Sequence, residues 1–190
     1  MRRTTLLLAG FALLGGCSGD PTATEATANI QPRAVATSRA PAAADQKDLA
    51  ALRRVTAPFH NFDQAVAAGW SALITPCMTD PAGGMGFHYG NPALIDGTVR
   101  VEEPELLLYE PEKNGKLRLV AVEYIVPYTA HGRDATPPVL FGQEFKRNDT
   151  FQLWGLHAWV WKHNPSGMFA DWNPRVTCGN AAAMPGMAHH

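Results

Sequence analysis

Apolar positions change their period along the chain, and the changes mark out its elements. From Asp48 to Trp70 they recur at helical spacing: Leu49, Leu52 and Val55, then Phe59, Phe62 and Val66 after Pro58. Proline lacks the N–H that a helix interior needs, so the pattern predicts two helical pieces, the second over 62–68 and capped by Gly69. Ala72-Leu73-Ile74 reads as a short strand leading to Cys77. Leu106–Glu110 and Leu117–Val126 read as strands joined by Pro111-Glu112-Lys113-Asn114-Gly115, whose Asn-Gly pair signals a hairpin. Val139–Phe145 is mixed, and Trp154–Trp161 is the third clear strand. The predicted architecture is α+β, with N-terminal helices packed on an antiparallel sheet of four or five strands. Asp80–Gly97 reads as a loop. Its four glycines between Gly83 and Gly90 imply a backbone that is strained or closely approached.

The ends of the chain follow other patterns. Arg2 and Arg3 precede an apolar run, Leu6–Leu14, that is shorter than the roughly 20 residues a spanning helix needs. Small residues and Cys17 follow, which is the layout of a secretory signal. Leu14-Gly15-Gly16-Cys17 resembles the lipobox of bacterial lipoproteins. The resemblance implies cleavage before Cys17, lipid (palmitate among it) on that cysteine, and a bilayer as partner. With Ser18 next, it implies an extracytoplasmic, periplasm-facing protein on the outer rather than the inner membrane. The expected organisation is a signal peptide over 1–16, a disordered tether over 17–45, one globular domain over 46–180 and a disordered tail over 181–190. The tail holds Met184, Met187, His189 and His190, ligand types that suit copper.

Losing Arg2 and Arg3 with the leader takes the net charge from −1 to −3. That balance gives no basic face, so nucleic acid is not an expected partner. With Cys17 acylated, Cys77 and Cys178 remain, and an even pair in an oxidising compartment predicts a disulfide. Closing a loop of about 100 residues stabilises the fold by up to about 4.7 kcal/mol on the chain-entropy model. Cys77 as a metal ligand beside Met78, Met85 and His88 is the alternative.

Strand geometry sorts the candidate chemistry. Leu117, Leu119, Ala121, Glu123 and Ile125 should share one face, which leaves Glu123 as a carboxylate among apolar neighbours that needs a partner. Arg118, Arg175, a histidine and a metal ion are the options. Gly155, His157, Trp159, Trp161 and His163 should share a face. His157 and His163 lie about 20 Å apart along an extended strand, so at most one belongs to any site. The sharpest candidate is a metal site of His88, Glu123 and His157, a workable set for zinc, copper or iron, with Met85 or Met168 as a soft addition. The plain alternative makes His157 a hydrogen-bonded core residue, His88 a loop anchor and Glu123 the partner of an arginine. Tyr89, Trp159 and Trp161 form a candidate ligand pocket. Ser71 and Ser166 lie in no nucleophile elbow.

The blocks Gly83–Tyr89, Leu119–Tyr124 and His157-Ala158-Trp159, with Asn164–Pro174, resemble an uncharacterised group of secreted bacterial proteins with no assigned activity. The expected function is a lipid-anchored binding protein for a metal ion or small ligand. A metal-dependent envelope enzyme with Glu123 as general base, and a purely structural envelope lipoprotein, are the other readings.

Overall fold

The computed structural model describes residues 42–181. The segment read as a leader, Cys17, most of the segment read as a tether and the C-terminal Met and His residues lie outside the described residues. Helix α1 spans Ala43–Thr56 and therefore begins inside the segment read as tether. Asp45 in its first turn accepts the Ala42 N–H at 2.8 Å, and Leu49 and Leu52 on its inner face are fully buried. Pro58 falls in a 3₁₀ turn, Ala57–His60, that separates α1 from α2, Phe62–Ala67. Asn61 caps α2 by accepting the Asp63 N–H, and Gly69 ends it at φ +109°. Among the described residues no helix is long and apolar enough to cross a membrane.

Eight strands follow: β1 Ala72–Asp80, β2 Gly83–Gly90, β3 Leu106–Pro111, β4 Leu117–Pro127, β5 Val139–Leu140, β6 Gln143–Glu144, β7 Lys146–Asn148 and β8 Leu153–Ala158. Six form one antiparallel sheet in the order β1-β2-β3-β4-β8-β7, and β5 and β6 form a separate hairpin. The α+β class and the central β3–β4 hairpin are as predicted, but the sheet has six strands rather than four or five. The two unforeseen strands lack the usual signal. β7 is three polar residues, and β2 is the glycine-rich segment read as a loop.

The glycines of β2 record close approach. A Cβ on Gly83 would run into the Asn173 backbone, and one on Gly84 would lie 2.7 Å from the Val176 carbonyl oxygen. Gly84 and Asn173 exchange backbone hydrogen bonds of 3.0 and 3.1 Å. The C-terminal segment thus lies directly across a buried strand. The Cys77–Cys178 disulfide, bridging 101 positions, fixes that segment to β1.

The sheet has two covered faces. Under the helices lie Phe87, Tyr89, Leu107, Tyr109, Val122, Tyr124, Trp154 and Leu156. The opposite face carries Met85, Leu106, Leu108, Ala121 and Ile125 beneath Trp159 and Val176 of the C-terminal segment. Two sequence-based face assignments change. Leu117 and Leu119 pack under the helices, opposite to Glu123 and Ile125, because β4 carries a bulge: Leu108 pairs with Ala121 and Tyr109 with Leu119, leaving Val120 as an extra residue. β8 ends at Ala158 rather than Trp161, so the strand parity that grouped Trp159 with Trp161 is lost.

Candidate metal centre

His88, Glu123 and His157 come together on the face away from the helices, and all three are buried. Two cross-strand pairs create the arrangement. Thr75 of β1 lies opposite His88 of β2, and Glu123 of β4 lies opposite His157 of β8. Strand β3 runs between the pairs, presenting Leu106 and Leu108 to this face. His88 and Glu123 therefore meet above an apolar floor. Gly155 makes room for the carboxylate, since a Cβ there would lie 2.9 Å from Glu123 Oε1.

The three side chains are near one another but do not hydrogen-bond. Glu123 Oε2 is 3.5 Å from His88 Nε2 and 3.7 Å from His157 Nε2. Both separations exceed the 2.7–3.2 Å of an ordinary N–H···O bond. Ligand atoms about 2.1 Å from a tetrahedral ion sit about 3.4 Å apart, and one atom from each of these residues lies within 4.8 Å of the others. His157 Nε2 is buried with no hydrogen-bond partner among the described residues. Such an orphan costs roughly 1–3 kcal/mol. The donor set and this unsatisfied nitrogen both fit a divalent cation.

One outward ring nitrogen bonds a hydroxyl and the other faces a carboxylate. His88 Nδ1 is 2.7 Å from Thr75 Oγ1. With the ring proton on Nδ1 and shared with that hydroxyl, Nε2 turns its lone pair toward Glu123. His157 Nδ1 faces Asp171 Oδ1 at 3.6 Å, and Lys146 Nζ donates to the same oxygen at 2.8 Å. Orientation of a ligating imidazole by a carboxylate or hydroxyl is the usual arrangement at metal sites.

Electrostatics divide the histidines. Burial, reinforced by His157 nearby, pushes the His88 pKa down to about 3, so its imidazole is neutral and suited to ligation. Burial alone would also lower His157, but the Glu123 and Asp171 carboxylates outweigh it and hold that ring above its ordinary value. Burial raises the Glu123 carboxyl; His157 opposes this and Asp171 adds to it. Burial would likewise raise Asp171, yet His157 and Lys146 bring it down to about 2.

The centre opens onto a cavity of about 390 Å³ whose walls include Ile74, Met78, Ile125, Phe151 and Trp172. Met85 borders it, while Met168 packs on the helix-side cluster, away from the centre. His163 is 3.3 Å from Arg175 Nη1 and takes no part. No arginine pairs with Glu123 among the described residues. The cysteines are joined to each other, so Cys77 is not a ligand. The aromatic pocket of Tyr89, Trp159 and Trp161 does not form. Tyr89 packs edge-on against Phe62 and Tyr109 beneath the helices, and Trp161 donates its Nε1–H to Thr56 there. Trp159 lies on the opposite face, its ring within 13° of parallel to His157. The lost parity after Ala158 is the reason.

Thr75, Lys146, Gly155 and Asp171 were not foreseen. Alternation along β1 could not have found Thr75, because the β1–β2 register shifts on both sides of it. Asp171 carries no local signal, because it sits in irregular backbone placed by the disulfide and the Gly84–Asn173 bridge. No protein-family model, curated protein or solved structure matches this chain.

Proposed function

We propose that this protein is a metal-binding protein of the cell envelope, holding one divalent transition metal through His88 Nε2, Glu123 and His157 Nε2. The observation that supports this reading best is the spacing of the three atoms: too long for hydrogen bonds, suitable for a shared ion, and leaving a buried nitrogen unsatisfied. Two imidazoles and a carboxylate suit zinc first, with iron(II) and copper(II) as competitors. The disulfide agrees with an oxidising compartment. Acylation of Cys17 would tether the domain to the outer membrane.

A second reading rests on one further observation. Among the described residues the ligand group has three members, and it faces a cavity. Catalytic zinc keeps such an open position, whereas structural zinc is closed by four protein ligands. In that reading the protein is a metal-dependent enzyme. The metal would supply Lewis acidity, while Asp171 and Lys146 would fix the His157 ring.

The test is elemental analysis of the full chain extracted from the cell envelope with detergent and without chelator. The expected result is about one transition metal per chain, lost in His88→Ala and in His157→Ala. Absence of metal, and no uptake of zinc, copper(II) or iron(II), would overturn both readings.

A further inference from the structure

The cavity beside the metal centre has one polar pole and otherwise mainly apolar walls, and this asymmetry defines what it can take. Its polar pole is the ligand cluster with Lys146 and Asp171 beside it. Ile74, Met78, Leu106, Ile125, Phe151 and Leu153 form much of the remaining wall. Ile74 and Phe151 are about half exposed, at 43% and 46%, so they stand where the cavity meets solvent. Its volume of about 390 Å³ is more than twice that of the ~150 Å³ void that accepts a benzene ring. It has room for a ring or a medium-length alkyl chain as well as a head group.

Charge selects the head group. A divalent ion held by neutral imidazoles keeps one positive charge after Glu123 is counted; Lys146 and Asp171 cancel each other, and Arg147, which also lines the cavity, is paired with Asp134 at 3.3 Å. One monoanion at the open position would bring this buried pole to neutrality, which a low-dielectric site favours. Lys146 spends one of its three donors on Asp171. Its strand position, opposite Gly155, places it on the face of His157 and at the cavity wall, half exposed and with donors left for a bound anion.

Building on the metal-site reading, we infer that the cavity binds a small monocarboxylate with a compact apolar body. Its carboxylate lies at the metal and Lys146, and its hydrocarbon part lies among Ile74, Leu106, Ile125 and Phe151. Neither half suffices: acetate leaves the apolar wall wet, and an uncharged alcohol leaves the positive pole uncompensated.

The experiment is isothermal titration of the zinc-loaded protein with octanoate, acetate and 1-octanol. Zinc stoichiometry is measured independently beforehand. Octanoate is expected to bind at least tenfold more tightly than either comparison compound. Lys146→Gln is expected to weaken octanoate about tenfold, and Phe151→Ala about fivefold. Phe151 is half exposed, so its truncation leaves the core intact. Full zinc uptake with octanoate no tighter than acetate or 1-octanol overturns this inference alone. Failure to take up zinc or any competing metal overturns the metal-site reading and this inference with it.

Discussion

Metal binding to a preformed site should appear as thermal stability, and its size can be worked out. The three ligands are already buried and converge from strands tied into one sheet, so binding spends little free energy on ordering them. In the unfolded chain the same residues are far apart in sequence, and the disulfide withholds the thiolates of Cys77 and Cys178. A metal that binds only the folded state stabilises it by about 2.7 kcal/mol at a free concentration of 100 times Kd. Across the 140 described residues the unfolding entropy is about 0.3 kcal/mol per degree. The expected rise in Tm is therefore about 9 °C. Differential scanning calorimetry with zinc in excess, against a chelator-treated sample, measures it. Glu123→Gln and His157→Ala, each compared with its own metal-free Tm, should retain a shift below about 2 °C, because only two ligands remain. A shift of equal size in Glu123→Gln and in the unaltered protein would refute the assignment. So would the absence of any shift with zinc, copper(II) and iron(II).

Other consequences of the structure are as direct. Gly155→Ala should weaken metal binding at least tenfold, because its Cβ would crowd Glu123 Oε1 at 2.9 Å; Gly132→Ala, with nothing within 4 Å, should leave affinity unchanged in the same competition titration. Replacing Cys77 and Cys178 together with serine should reduce stability in urea by about 3–4 kcal/mol, below the chain-entropy ceiling of about 4.7 kcal/mol. Glu105 is fully buried, and burial raises its pKa from 4.5 to about 8. The folded state therefore holds a proton that the unfolded state releases above about pH 4.5, so Glu105 favours folding at low pH and this contribution is lost as pH rises toward 8. Denaturant midpoints should fall from pH 5 to pH 8, and Glu105→Gln, which keeps an acceptor for the Ile125 N–H, should flatten the fall. A fall of the same size in Glu105→Gln would remove Glu105 as its cause.

How far the sequence predicts this molecule depends on how local each feature is. The α1–α2 break at Pro58, the Gly69 cap and the β3–β4 hairpin follow from residues within a few positions of one another, and the structure has them all. The His88–Glu123–His157 group was legible for a different reason: Glu123 and His157 are polar in strands that otherwise read as core, where a buried polar residue needs a partner, and His88 is the histidine of the glycine-rich segment read as a loop. What failed was parity. Strand alternation assigns faces only while the ladder is regular, and here it breaks at Gly86, at Val120 and after Ala158. Strand β2 was hidden because two of its glycines, Gly83 and Gly84, serve the Asn173 and Val176 backbone across from it, a contact made by residues some ninety positions away.

The break at Val120 is itself part of how the centre is made. Counted from Leu117 and Leu119, which pack under the helices, an unbroken alternation would point Glu123 into that same apolar core. One extra residue reverses the parity, so Val120 and Ala121 both face the far side and Glu123 follows onto that side with Ile125. The carbonyl that the bulge frees is used as well. Val120 accepts the N–H groups of Trp161, at 3.3 Å, and of Lys162, at 3.0 Å, where the chain leaves β8. That anchor starts the segment that carries Asp171 to His157 and ends at Cys178, bonded to Cys77 of β1. A single irregularity in β4 thus sets which face the carboxylate takes and where the chain that supports His157 begins its path. Inserting one alanine between Ala121 and Val122 should consequently do more than add a methyl-bearing residue. With Leu117 and Leu119 held under the helices, it would turn Glu123 toward their side of the sheet and abolish metal uptake, whereas deleting Val120 closes the ladder into a regular strand and leaves Glu123 on its present face. A protein carrying the inserted alanine that still bound metal with unchanged stoichiometry would show that the parity of β4 does not position the centre.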